Sequence, residues 1–269
     1  MTLPGSDMLR HSFPEQYERC LVGPLFRPWA EVLVERARLT AGARLLDLAC
    51  GTGIVGRLAQ EVVGGDGRIV GIDASAPMLA VARAIAPEIR WREGRAEALP
   101  LEDGEQFDVV ICHQGLQFFP DKPAAAREMR RALAPGGRVA VGTWRPLEEV
   151  PLFAALHAVA IRRLGPIHDQ RHSYGDPTAI STLLRGAGFR NPQVEILTRA
   201  LHFPDGEILV RLNAMALLSM SGAGKALSED DRMELVGTLV REGWEAVAPF
   251  RDGVALTFDI ASTVAVATC

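Results

Sequence analysis

The sequence predicts an α/β fold, a mostly parallel sheet with helices on both faces and a helical cap. Three observations carry this. Apolar runs of strand length alternate with helical periodicity between residues 44 and 144. The first run, Leu45, Leu46 and Leu48, ends in a glycine-rich turn from which a helical pattern starts at once. Capping residues and breakers stand where that alternation needs them.

In chain order, residues 1–13 read as mobile, and residues 14–38 as two short helices broken at Gly23-Pro24 and Pro28. The alternation then gives strand 44–49, helix 54–63, strand 68–73, helix 76–86, strand 88–93, strand 107–112, helix 121–134 and strand 138–144. Ser75 and Asp121 suit helix caps, with Pro77 and Pro123 in the following first turns. Pro135-Gly136-Gly137 marks a sharp stop. Beyond Trp144 the strands thin out. Helical patterns cover 150–164, 177–187 and, with a break at 221–224, residues 205–245. Strands are expected at 193–203 and 254–266. The expected division is one domain over 1–269, with a core at 40–145 and cap segments at 145–190 and 204–250. Helices without strands between them suit a cap over the strand ends, where open α/β sheets bind ligands.

The 269 residues are 48% hydrophobic and 23% charged, an ordinary globular balance. A formal net charge of −4 with no long basic run argues against nucleic-acid binding. Cys20, Cys50, Cys112 and Cys269 are scattered and read as reduced thiols of a cytoplasmic protein, and no His, Cys and carboxylate set has metal spacing. Met1–Ser12 lacks a secretory pattern, and no apolar window is long enough to span a membrane. The partner expected is therefore a small molecule; a homodimer stays open.

Gly51, Gly53 and Gly56 form G-x-G-x-x-G, and Asp73 ends the next strand twenty residues after Gly53. Such a loop brings backbone close to a ligand, and such an acid can accept from ribose hydroxyls. A dinucleotide and S-adenosylmethionine both fit that pattern. Asp47, inside the strand, favours the second: a pyrophosphate wants no carboxylate beside its helix N-terminus, whereas a cationic sulfonium amino acid tolerates one.

The string Leu-Leu-Asp-Leu-Ala-Cys-Gly-Thr-Gly (residues 45–53) resembles the cofactor loop of class I S-adenosylmethionine-dependent methyltransferases. The resemblance continues through residues 71–79, 93–100, 107–121 and 133–138, and covers the cap only weakly. It implies a Rossmann-like seven-stranded sheet with the last strand antiparallel, and S-adenosyl-L-methionine as cofactor, leaving S-adenosyl-L-homocysteine. It places Asp47, the backbone at Cys50, Gly51 and Gly53, and Asp73 with Ala74 on the cofactor. Met78 and Ala96 would flank adenine, and Cys112 and Gln117 would face the methionine end. The family commonly has an acid where this chain has Arg95, which cannot accept a hydrogen bond, so the adenine amino group is left to Glu97, a backbone carbonyl or water. The Asn/Asp-Pro-Pro-Tyr motif of nucleic-acid and glutamine methylation is missing, which points to a small acceptor.

His113, after the fourth core strand, is the candidate general base. Gln114, Tyr17 and Trp144 are candidate acceptor contacts. His157, His168 and His172 read as solvent-facing or helix-end residues, and the apolar stretch 215–220 as a cap helix that either lines a hydrophobic substrate cavity or only packs the cap onto the sheet. An NAD(P)-dependent oxidoreductase and a methyltransferase-like binding protein without methyl transfer are the alternatives.

Overall fold

A computed structural model describes residues 11–269. Most of the stretch expected to be mobile lies outside the described residues, and helix already begins at Phe13.

Seven long strands build one sheet: β1 (Arg44–Leu48), β2 (Arg68–Asp73), β3 (Arg90–Glu93), β4 (Phe107–His113), β5 (Leu133–Trp144), β6 (Arg190–Phe203) and β8 (Ala255–Thr268). The two-residue β7 (Arg251–Asp252) forms a hairpin with β8. The order is β3-β2-β1-β4-β5-β8-β6, parallel from β3 to β5. β8 runs antiparallel to both its neighbours, as expected for the last strand. From β1 the chain winds outward through β2 and β3, then returns to lay β4 on the other side of β1. That reversal opens a crevice beyond the carboxyl ends of β1 and β4, and ligands bind at such switch points. In register, Leu48 pairs with both Ile72 and Cys112, so these three strand ends converge on one edge.

Side-chain alternation sorts the sheet into two faces. Leu46, Val70, Val110 and Val139 pack under α5 (Lys122–Ala132) and α7 (Pro177–Gly186). Leu45, Ile69, Val109 and Ala140 pack under α2 (Arg27–Ala37), α3 (Ile54–Val63) and α4 (Ala76–Ile85). α7 therefore belongs to the core, through Ile180 and Leu184, and not to the cap in which the sequence placed it. The cap consists of α6 (Pro151–Leu164), α8 (Gly206–Met220), the short α9 (Gly222–Lys225) and α10 (Glu229–Ala246); α6, α8 and α10 share an apolar cluster including Val159, Leu217 and Leu239.

Local punctuation follows the sequence in most places. The Ser75 hydroxyl accepts from the Met78 amide and the Asp121 carboxylate from Ala124. Two expectations differ. α1 (Phe13–Gln16) does not break at Gly23-Pro24 or Pro28; it runs through a π-wound stretch, Tyr17–Phe26, straight into α2. Wider π turns absorb the residue whose missing N–H would interrupt an α-helix, and Pro28 sits in the first turn of α2, where no donor is needed. Residues 134–137 lie within β5 as an excursion between the pairs Phe107–Leu133 and Val109–Arg138, not before the strand.

Candidate active site

The loop after β1 passes through three left-handed residues, Ala49, Gly51 and Gly53, with φ of 56°, 55° and 89°. Its glycines serve different ends. A Cβ on Gly51 would meet nothing within 4 Å, whereas one on Gly53 would run into the Trp91 ring. A Cβ on Gly56 would lie 3.1 Å from the same ring, and one on Gly71 would collide with it. Trp91, on β3, is anchored by its indole N–H on the Ala86 carbonyl, 2.8 Å away. Gly51 thus keeps the backbone open to a ligand, while Gly53 is glycine because of its φ and because of Trp91. Gly53 itself does not line the cavity, although its neighbours Thr52 and Ile54 do.

Two carboxylates organise this loop. Asp73 accepts from the amides of Gly51 and Ser75, both at 2.8 Å. Asp47 accepts from Gly56 N–H at 3.0 Å through one oxygen, and its buried Oδ1 has no partner. Burial pushes Asp47 up to about 7, with the Asp73 charge adding to it and the Gly56 hydrogen bond opposing. Burial also raises Asp73, against its backbone hydrogen bonds. From the other side Arg57 holds the Thr52 carbonyl at 2.6 Å and Glu18 at 2.7 Å, pinning the N-terminal helix over the loop.

Over these groups lies a cavity of about 570 Å³, of the size that encloses small molecules. Asp47, Cys50, Gly51, Asp73, Ala74, Met78, Ala96 and Glu97 line its sheet-edge side. Tyr17, His113, Gln114, Gln117 and Trp144 line the part beneath the cap. Cys112 does not line it. The thiol is wholly buried near Gly115, and burial pushes it up to about 12. Arg95 lines the cavity but its side chain is 69% exposed and pairs with Glu97 at 3.7 Å. The buried Glu97 Oε1 keeps no partner and remains free to accept.

His113 stands differently from the expectation of a general base. Its ring is edge-on to Phe26 at 6.0 Å, and its Nε2 is buried without a partner. Burial alone drives it down to about 3, so it stays neutral and resists taking a proton. Sequence reasoning missed most of the far wall. Phe26, Phe153, Leu209 and Leu212 line it, joined by Ala216 from the stretch 215–220, so α8 shapes the cavity as well as packing the cap. His172, read as solvent-facing or helix-end, is buried and lines the same wall with Arg171 and Asn213. An apolar helix face leaves no signal that separates cavity wall from core. Among the described residues no group of three or more His, Cys, Asp or Glu could hold a metal, and no helix is long and apolar enough to cross a membrane.

Five of the residues that line this cavity keep a buried polar side-chain atom without a partner: Asp47 Oδ1, Thr52 Oγ1, Glu97 Oε1, His113 Nε2 and Gln117 Oε1. Unpaired buried groups are costly, and a ligand bearing hydrogen-bond donors removes that cost. The set fits an adenosyl cofactor with a cationic amino-acid tail. Asp47 and Gln117 suit an ammonium group, Asp73 suits ribose hydroxyls, and Glu97 suits an adenine amino group. It does not suit a pyrophosphate, beside which Asp47 would set a carboxylate. Fold and site together define a Rossmann-like enzyme of the class I methyltransferase type.

The comparisons agree. A family model described as a methyltransferase domain matches residues 45–137. The demethylmenaquinone methyltransferase of Thermus thermophilus is 33% identical over 199 residues, covering 66% of this chain and 89% of that enzyme. The 2-phytyl-1,4-naphtoquinone methyltransferase of Thermosynechococcus vestitus is 42% identical over 120 residues, covering 44% of this chain. The match spans about half of that relative's length, 53%. Among solved structures, phosphoethanolamine N-methyltransferase 2 of Haemonchus contortus, in complex with phosphomonomethylethanolamine and S-adenosylhomocysteine, superposes with a TM-score of 0.59 at 17% identity, covering 99% of this chain and 61% of that one. The chain belongs to the S-adenosylmethionine-dependent methyltransferases, and the oxidoreductase alternative is not favoured.

Proposed function

We propose that this enzyme methylates a flat, apolar ring compound carrying an acidic hydroxyl, of the quinol or phenol kind, at that oxygen or at an activated ring carbon. One observation carries the reading. The cavity continues from the cofactor groups into a compartment walled by Phe26, Trp144, Phe153, Leu209 and Leu212. Aromatic walls grip a planar ring over its faces. The naphthoquinone-type names of the relatives support the same acceptor class.

The bound cofactor supplies a methyl group activated on a positively charged sulfur. The protein contributes alignment and exclusion of water. Asp47 and Asp73 would fix the two ends of the cofactor's polar portion, while Met78 and Ala96 flank its base. Tyr17 packs on Phe26 with ring centroids 4.8 Å apart and carries the N-terminal helix over the compartment. Burial raises the Tyr17 phenol far above its ordinary value, so it stays protonated and serves as a hydrogen-bond donor.

The test is mass spectrometry of a panel of reduced naphthoquinones, phenols and primary amines incubated with S-adenosylmethionine. The expected result is a one-methylene gain in the hydroxylated rings and none in the amines. Turnover of the amines alone would contradict the reading.

A further inference from the structure

Between α6 and α7 the chain makes one short helical turn, Gln170–His172, under the cap. His172 is buried there and lines the acceptor side of the cavity, with its ring 5.7 Å from that of Phe153. Its Nδ1 lies 2.9 Å from the Arg145 carbonyl oxygen. A carbonyl only accepts, so Nδ1 carries the proton and Nε2 keeps its lone pair. That carbonyl is firmly placed. The Arg145 amide donates to Ala261 at 3.1 Å, and its guanidinium holds Glu149 at 2.6 Å, the Thr263 hydroxyl at 3.1 Å and the Gly175 carbonyl.

The charges around His172 are likewise arranged. Asp169, buried, sits at the head of the same turn, gripped by the Arg171 guanidinium at 2.8 and 2.6 Å. Arg171 reaches on to Asn213 Oδ1 of α8 at 2.9 Å. The hydrogen bond to the Arg145 carbonyl and the Asp169 charge favour an imidazolium at His172, while Arg171 and His157 oppose it. Burial outweighs these and holds the ring neutral at neutral pH, with its accepting nitrogen available. His113 has no such carboxylate to balance a charge, and only burial acts on it.

We propose that His172, through Nε2, is the general base of this enzyme, taking the hydroxyl proton of the acceptor. The N–H bond forms as the O–H bond breaks. The electron pair left on the acceptor, at oxygen or at the conjugated ring carbon, makes the new bond to the methyl carbon. The carbon–sulfur bond breaks with its pair retained by sulfur, and the imidazolium then passes its proton to water. Asp169, held by Arg171, is the positioning residue that steadies the charged ring. This inference rests on the hydroxylated acceptor proposed above.

The decisive variant is His172→Asn, whose amide N–H can still donate to the Arg145 carbonyl while the base is gone. The expected result is S-adenosylhomocysteine affinity within about twofold of wild type, a nearly unchanged acceptor KM, and a kcat lower by roughly 10²-fold or more. The remaining rate should climb with hydroxide concentration in place of the wild-type fall at acid pH. A merely structural histidine would be rescued by Asn, so wild-type kcat and pH profile in that variant overturn the proposal and leave the methyltransferase reading intact. If the wild type binds S-adenosylhomocysteine yet methylates no hydroxylated ring, the acceptor reading falls and this base with it. Nitrogen-15 NMR of histidine in the wild type guards against a variant that does not fold. A proton on Nδ1 at neutral pH is expected, and a proton on Nε2 overturns the proposal.

Discussion

The two sides of the cavity are built by different means. On the cofactor side, carboxylates hold backbone amides: Asp73 takes Gly51 and Ser75, and Asp47 takes Gly56. On the acceptor side, apolar side chains from α6, α8 and the N-terminal helix meet, with polar groups of His113, Gln114, Arg171, His172 and Asn213 set among them. Backbone-held geometry tolerates few residue types at each position, whereas an apolar wall tolerates many. On the proposed reading, the first side fixes what the enzyme uses, and the second what it acts on.

Breaking the first side has the largest expected effect. Asp73→Ala leaves two loop amides without acceptors and removes the ribose partner. S-adenosylhomocysteine affinity should fall by about 10²-fold or more, at 1.5–3 kcal/mol or so for each hydrogen bond to a charged group. Calorimetry reads it, and wild-type affinity in this variant would detach the loop from the site.

The glycines sharpen the comparison within one loop. Gly53→Ala must oppose both a φ of 89° and the Trp91 ring, and should destabilise the fold by about 3 kcal/mol. Gly51→Ala meets open space and should cost the fold only ~1 kcal/mol while weakening cofactor binding more. Thermal unfolding and calorimetry on the pair separate the two; equal losses of stability would contradict the division of roles.

Asp47 links the cofactor side to pH. The free protein holds its carboxyl near 7, and a cationic cofactor tail needs it ionised. Binding should therefore release a proton below about pH 7, and affinity should weaken as pH falls from 8 to 6, by at most ~10-fold per unit. The sign for the fold is opposite. A carboxyl raised in the native state binds more protons there than when unfolded, so its contribution to stability is lost as pH rises from about 4 through 7. Asp47→Asn should bind more weakly and without that pH dependence. Calorimetry in buffers of different ionisation enthalpy counts the proton, and pH-independent wild-type binding would contradict the assignment.

Effects confined to the acceptor side come next. Ala216→Phe, on α8, should raise KM for bulky ring acceptors by about 10-fold or more yet leave S-adenosylhomocysteine affinity within about twofold. A loss of cofactor affinity would mean that the two compartments are not separate. His113→Asn should lower kcat less than ~10-fold, against the 10²-fold of a general base. A larger fall returns His113 to the chemistry.

The same contrast explains what the sequence made legible. The alternation of strands with helices and the loop with Asp47, Gly51 and Asp73 were readable, because turns, caps and buried carboxylates demand particular residue types; the antiparallel last strand came with the family resemblance, and the strand order only with the structure. Trp91 was not. Nothing in its strand tells that three glycines fit its ring. Nor did the sequence tell Cys112, turned into the core, from Cys50, which reaches the cavity one strand away. The continuous helix through Pro24 escaped because π winding has no periodic signature. α7 was counted with the cap because an amphipathic helix looks alike over either layer. His113 and His172 were both lone histidines in sequence, and only packing shows one enclosed without a partner and the other oriented by a carbonyl.

The most direct test of the central claim is calorimetric titration of S-adenosylhomocysteine and of NAD into the purified protein at pH 7. One-to-one binding of S-adenosylhomocysteine with proton release, and no heat of binding from NAD, is the result expected of the carboxylate-lined cavity. Binding of NAD, or of neither ligand, would contradict it.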